Sequence, residues 1–203
     1  MINSLFPLFY YHGRVKNHKK LKKSFLSEIS DEKLITPQNW NCTLQTSFGS
    51  IFKEDFPWNS FIQSVGPNVL ELHKQLGGDP DVSLSIIDAW VNQYNAGDSQ
   101  EIHNHLVNNS TFSCCYFLKY DKDLDSKFVF RNTNLELEIG SLNSLYNISS
   151  THTPEVCEGD IIIFPSSIHH FVEIQKNNSN RTTVSANFQL TSVKRSSQAK
   201  LLL

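Results

Sequence analysis

The sequence is short of several features that would each have named a class of protein. Its cysteines number four, Cys42, Cys114, Cys115 and Cys157, and no two are spaced as a Cys-x-x-Cys pair. A zinc ribbon or a disulfide framework is therefore unsupported, and adjacent Cys114 and Cys115 would face opposite sides of a strand. Formal charge is only -2 over 203 residues, with a pI near 6.4. That excludes the broad basic surface on which non-specific nucleic-acid binding relies, so nucleic acid is not expected as a partner. No apolar run approaches the roughly 18 residues of a membrane span, and the N-terminus "MINSLFPLFYYHG" carries no charged n-region before a long apolar stretch. A cytoplasmic location without membrane contact is the expectation. No internal repeat is found.

Charge is concentrated in "RVKNHKKLKK", Arg14 to Lys23, which reads as the solvated face of a helix over about 17–30 with Leu21, Phe25 and Ile29 on its apolar side. "SLFPLFYYHGRV" before it reads as a strand. Pro57 opens a second helical stretch through Trp58, Phe61, Val65, Val69 and Leu72, which Gly66-Pro67 is expected to kink or divide. From Val82 the character changes to short β-rich runs: "VSLSIIDAWVNQY", "STFSCCYFLKY", "KFVFRN", "LNSLYNIS", "DIIIFP", "HHFVEIQ" and "RTTVSANFQL". This pattern predicts one mainly β domain, a sandwich or barrel with helices outside. Residues 1–81 supply a strand and supporting helices, 82–192 the β core and 193–203 a tail.

Within that core lies "NQYNAGDSQEIHNHLV", with His103 and His105 one residue apart. If the segment lies on or enters a strand, both imidazoles project from one face and can converge on an ion while Asn104 points away. An isolated His-x-His is as well explained as a polar surface loop, so the pair needs a third ligand. "EGDIIIFPSSIHH" delivers His169 and His170 to a strand end, and alternation lets only one of them face the pair. Arg181 and Thr183 then share a face of the last strand, a bidentate fork plus one hydroxyl donor suited to a carboxylate.

Taken in order, Tyr94-x-x-Gly97, His103-x-His105, "FPS" at 164–166, His170-x-Val172 and "RTTVSAN" at 181–187 resemble the 2-oxoglutarate- and Fe(II)-dependent dioxygenases. The likeness is closest to a small bacterial and phage branch, prolyl-hydroxylase-like in its Tyr-to-His spacing. It implies a double-stranded β-helix, the jelly roll of the cupins, and the cofactors Fe(II) and 2-oxoglutarate. His103, His105 and His170 would be the metal ligands and the catalytic centre. Arg181 and Thr183 would hold the remote carboxylate of 2-oxoglutarate, and Tyr94 or Asn92 could hydrogen-bond it. Dioxygen and a substrate that the sequence does not name complete the reaction, a hydroxylation. Trp90 has the same parity as Asn92 and Tyr94, but core packing is its simpler role.

One departure stands out. Most of the superfamily places a carboxylate where this chain has His105, the two-histidine, one-carboxylate triad of Fe(II) oxygenases. Either three histidines hold the metal, or Glu101 or Asp98 swings in and one histidine supports from behind. Three histidines also describe water-activating zinc sites. A cupin-like metalloenzyme without 2-oxoglutarate, or a jelly-roll binding module, therefore stays open at this point, as does the oligomeric state, homodimer included. The literal string "HNH" does not indicate an HNH nuclease, whose residues spread over a hairpin and helix beside a basic groove that this chain lacks.

Overall fold

The computed structural model describes residues 8–106, 109–133, 145–146 and 148–192. In chain order the elements are β1 (Tyr11–Arg14), α1 (His18–Leu26), β2 (Gln45–Thr46), a 3₁₀ turn (Lys53–Asp55), α2 (Trp58–Gln75), β3 (Val82–Tyr94), β4 (Gln100–His103) and β5 (Phe112–Lys119). β6 (Phe128–Arg131), β7 (Thr151–His152), β8 (Asp160–Pro165), β9 (His169–Val172) and β10 (Arg181–Ser192) complete the fold. They form a six-stranded sheet in the order β1-β8-β5-β10-β3-β2 and a four-stranded sheet β4-β9-β6-β7. All pairings are antiparallel. Two such sheets facing each other make the jelly roll.

The large sheet is covered on both faces, which is why β5 and β8 read as continuous apolar runs rather than as alternation. Its outer face presents Cys114, Tyr116, Ile161, Ile163, Val184 and Ala186 to Phe25 of α1 and to Phe61, Val65 and Val69 of α2. Its inner face presents Cys115, Phe117, Ile162 and Phe164 to Phe128, Phe130 and Val172 of the small sheet. The two cysteines thus face opposite ways, and all four are free thiols. Removing a buried phenylalanine such as Phe25 or Phe117 from either layer costs about 3–5 kcal/mol.

The helices follow their apolar faces. α1 buries Leu21 and Phe25, while Lys16, Lys19, Lys20 and Lys23 stay in solvent. The expected break at Gly66-Pro67 does not occur: α2 runs unbroken from Trp58 to Gln75 with Pro67 inside it. A proline ring normally clashes with the residue before it. Here that residue is a glycine without a Cβ, and packing of Val65 and Val69 against the sheet offsets the lost hydrogen bond. The strand expected in "LNSLYNIS" falls mostly outside the described residues, and its Leu145 and Tyr146 are helical and exposed. The tail, 193–203, also lies outside. Among the described residues, no helix is long and apolar enough to cross a membrane.

Candidate metal centre

The site is built where the small sheet meets the inner face of the large one. β3 ends at Tyr94 in a turn that Gly97 closes with φ 92°, a left-handed value that favours glycine. Asp98 Oδ2 accepts the Asn95 amide at 2.8 Å within that turn. The chain returns as β4, and its last residue, His103, lies directly opposite His170 of β9. His105 has left the strand, and its amide N–H donates to Ser166 O at 2.8 Å. Same-face alternation along one strand is therefore not what aligns the pair; the hydrogen bond to the "FPS" turn does.

The three imidazoles converge. Ring centroids lie 5.1 Å apart for His103 and His105, 4.3 Å for His103 and His170, and 4.9 Å for His105 and His170. One nitrogen from each lies within 4.8 Å of the others, and no other cluster of three or more His, Cys, Asp or Glu side chains among the described residues could hold a metal ion. Each Nδ1 has an acceptor: Glu101 O at 2.8 Å for His103, Asn187 Oδ1 at 2.9 Å for His105, and Ile168 O at 3.0 Å for His170. With Nδ1 donating, each Nε2 keeps its lone pair on the side of the cluster, that of His103 facing Gln100 Nε2 at 3.4 Å, the arrangement that orients imidazole ligands in metalloproteins. His169 points the other way and takes a hydrogen bond from Asn104 at 3.1 Å.

The site is dry and weakly basic. Phe128 stacks on His170 at 5.1 Å, Phe164 meets its edge at 4.8 Å, and Trp90 meets His105 at 5.4 Å. Burial lowers the pKa of His103; burial and then the neighbouring His103 push His105 down to about 4. His170 is lowered well below its ordinary value by burial first, then by His103 and His105. Neutral imidazoles are the form that binds metal. In the metal-free protein the His105 ring should therefore stay silent in an NMR titration from pH 7.5 to about 5.5, where a free imidazole passes through its midpoint near 6.5. The unfolded chain takes up protons below 6.5 and the folded His105 ring does not, so folding stability falls as pH drops from 6.5 towards 4. A ring midpoint near 6.5 for His105 would contradict this burial.

The carboxylates stand aside. Glu101 Oε1 accepts the Asn41 amide at 3.2 Å, and its Oε2 is buried with no hydrogen-bond partner among the described residues. Asp98 is tied into its turn as described above.

Arg181, first residue of β10, is completely buried. Its Nε donates to Ser126 O at 3.1 Å, and its guanidinium lies 4.6 Å from the Tyr94 ring, with Tyr120 and Phe117 farther out. Both terminal nitrogens, Nη1 and Nη2, are buried with no partner among the described residues. Leaving donors of a buried cation unpaired is expensive, and such a group fits an absent anion. Gln175, itself fully buried, braces this end: Ser126 N donates to its Oε1 at 2.7 Å, and its Nε2 donates to Asp125 at 2.8 Å.

Along β10, Thr183, Ser185 and Asn187 share the face of Arg181, opposite Asn92, Trp90 and Asp88 of β3. The Asn92 amide fits Thr46 Oγ1 at 2.7 Å and Trp90 Nε1 at 3.2 Å. The Tyr94 hydroxyl donates to Gln100 Oε1 at 2.9 Å, and Gln100 Nε2 lies 3.4 Å from His103 Nε2. Six of the seven residues singled out from the sequence line one cavity, and the seventh, Arg181, lies against the ring of Tyr94, whereas Gln100, Gln175 and the partner of His105, Asn187, were given no role. Asn187 and Ser166 lay inside the quoted motifs, but nothing in their type says what they touch. Free space at the histidines is about 10 Å³, room for little more than one water. The roomier hollows, of about 300 and 500 Å³, include none of the three histidines.

Residues 88–187 match the 2OG-Fe(II) oxygenase family. No curated protein matches the sequence. Among solved structures, a prolyl-4-hydroxylase from Pseudomonas putida superposes with a TM-score of 0.61 at 10% identity, covering 90% of this chain and 92% of that one. HygX from Streptomyces hygroscopicus, solved with nickel, 2-oxoglutarate and hygromycin B, gives 0.59 at 8% identity, over 89% and 82% of the two chains. The epimerase SnoN of nogalamycin biosynthesis, in complex with Fe3+, alpha-ketoglutarate and nogalamycin RO, gives 0.62 at 13% identity, over 89% and 78%. At such identities the likeness speaks for the fold. With the family match, the double-sheet fold and the histidine cluster on one chain, this protein belongs to the 2-oxoglutarate- and Fe(II)-dependent oxygenases. It is an enzyme whose cofactors are iron and 2-oxoglutarate and whose co-substrate is dioxygen.

Proposed function

We propose that the chain is a hydroxylase that holds Fe(II) through Nε2 of His103, His105 and His170 and pins 2-oxoglutarate with Arg181. When bound, the iron and 2-oxoglutarate together activate dioxygen, the cosubstrate leaving as succinate and carbon dioxide while one oxygen atom enters a substrate C–H bond. The observation that carries the reading is the buried guanidinium of Arg181, with two unpaired nitrogens and three aromatic rings around it. A carboxylate group supplies both missing acceptors as a bidentate partner and neutralises the charge, which water does not.

The chain's own residues bind, orient and dry the site. The Nδ1 acceptors fix each imidazole with its lone pair inward, Thr183 offers one hydroxyl beside Arg181, and Phe128, Phe164 and Trp90 keep water from the histidines. The Tyr94 hydroxyl and the Gln100 amide lie in the same cavity as the histidines. Because free space there is so small, cosubstrate entry displaces the Gln100 side chain from its bridge between Tyr94 and His103. Asn92, committed to Thr46 and Trp90, acts on the wall of the cavity.

The test is an anaerobic titration of 2-oxoglutarate into the Fe(II) protein, read by the visible charge-transfer band of such complexes. A saturable band with micromolar to sub-millimolar affinity is expected. Stoichiometric Fe(II) binding with no response at millimolar 2-oxoglutarate sinks the assignment of Arg181.

A further inference from the structure

His105 stands where a carboxylate would lend negative charge, and what lies behind it is therefore a question about the whole site. Its Nδ1–H donates at 2.9 Å to Asn187 Oδ1. The same oxygen accepts the Ser113 hydroxyl at 2.8 Å. Ser113 lies 2.9 Å from Ser166 Oγ, and Ser166 is next to Ser110 Oγ. Asn187, Ser113 and Ser166 are all buried. Ser110 in turn donates to Phe112 O at 3.5 Å. The amide oxygen of Asn187 thus faces both the imidazole and the Ser113 hydroxyl.

That orientation decides a tautomer. An amide turned the other way would aim N–H at His105 Nδ1, move the ring proton to Nε2, and block the metal. Unlike a carboxylate, the amide carries no charge. The acceptors behind His103 and His170 are neutral backbone carbonyls. A divalent ion here would meet three neutral imidazoles with three neutral supports, and the buried guanidinium of Arg181 adds a further positive charge on the same inner face. Asp98 accepts a backbone amide within its own turn, while Glu101, which accepts the Asn41 amide, also acts on His103 through its charge.

We propose that Asn187 is the positioning residue for His105, its amide oxygen holding the ring proton on Nδ1 so that Nε2 faces the metal. The proposal rests on His105 as a ligand.

The experiment is calorimetric titration of Mn(II) into the full chain, for wild type and for Asn187→Asp, Asn187→Leu and His105→Ala. Asn187→Leu should weaken Mn(II) by about 10- to 100-fold, the usual effect of losing a partner behind a ligand. Asn187→Asp should do the opposite, binding Mn(II) alone at least as well as wild type. It should also shift the Fe(II) charge-transfer band to longer wavelength, since a carboxylate behind the imidazole enriches the metal in electrons. A residue that merely packs would weaken binding in both substitutions. If His105→Ala loses the metal while Asn187→Leu binds Mn(II) as wild type does, the role of Asn187 is refuted and the three-histidine site stands. If His105→Ala binds Mn(II) as wild type does, the ligand assignment itself fails. Should Asn187→Leu not fold by circular dichroism, the aspartate variant and the band position decide alone.

Discussion

Arg181→Leu should abolish measurable 2-oxoglutarate binding while leaving metal binding without the cosubstrate within a few-fold of wild type. Removing one partner of a buried ion pair typically costs about 3–5 kcal/mol, because the other charge is stranded. That is a loss of affinity of roughly a few hundred to a few thousand. The stability of the free protein should move the other way. Without cosubstrate, wild type keeps a buried guanidinium with Nη1 and Nη2 unpaired, and an apolar side chain in the same space removes that penalty. The melting temperature of unliganded Arg181→Leu should therefore hold or rise, despite the lost bond to Ser126. Wild type should gain about 2.7 kcal/mol of stability at 100 times Kd of 2-oxoglutarate, and the variant none. Thr183→Val should do less, about 1 kcal/mol for one neutral donor. A variant that binds 2-oxoglutarate within tenfold of wild type would overturn the anchor.

The second large effect is at the metal. His170→Ala, His103→Ala and His105→Ala should each lose iron. Structural zinc sites gain about 10–16 kcal/mol from four ligands, so one ligand is worth about 3 kcal/mol, or roughly two orders of magnitude in affinity. His169→Ala should retain wild-type iron stoichiometry, because that ring faces outward to Asn104. Glu101→Gln belongs in the same series, since Glu101 keeps one buried oxygen without a partner. If it releases iron and His105→Ala does not, the carboxylate and not His105 is the third ligand. Iron content of anaerobically loaded protein, measured against protein concentration, reads each variant.

Much of this site was legible before any coordinates, and for a definite reason. Strand parity is a local property: Arg181 and Thr183 must share a face, His169 and His170 must not, and Cys114 and Cys115 must part. The structure keeps each of these. Motif order supplied the rest, bringing together residues as far apart as Tyr94 and Arg181, which pair directly across β3 and β10. What stayed hidden depended on partners remote in sequence. His105 is aligned by the Ser166 carbonyl and not by its own strand. Asn187 and Gln100 are polar residues whose type says nothing of whether they meet an imidazole. α2 is not divided at Pro67, because helix propensity is a local argument that the packing of Val65 and Val69 overrides.

Strand β10 has one more consequence, which concerns how this enzyme could diverge. Its odd-numbered residues from Arg181 to Asn187 face the chemistry, and Val184, Ala186 and Phe188 lie in the hydrophobic layer under the helices. Inserting or deleting one residue in its first half would exchange the two sets, burying a cation and an amide against α2 and turning aliphatic groups towards the metal. Such lineages lose fold and catalysis in a single event, with no viable intermediate. Length variation is thereby channelled into the connections between strands, such as 95–99, which do not set the parity of β10. New substrates would be acquired by rewriting those loops while the strand itself changes only by substitution, a route that lets sequences drift far apart around an unchanged frame.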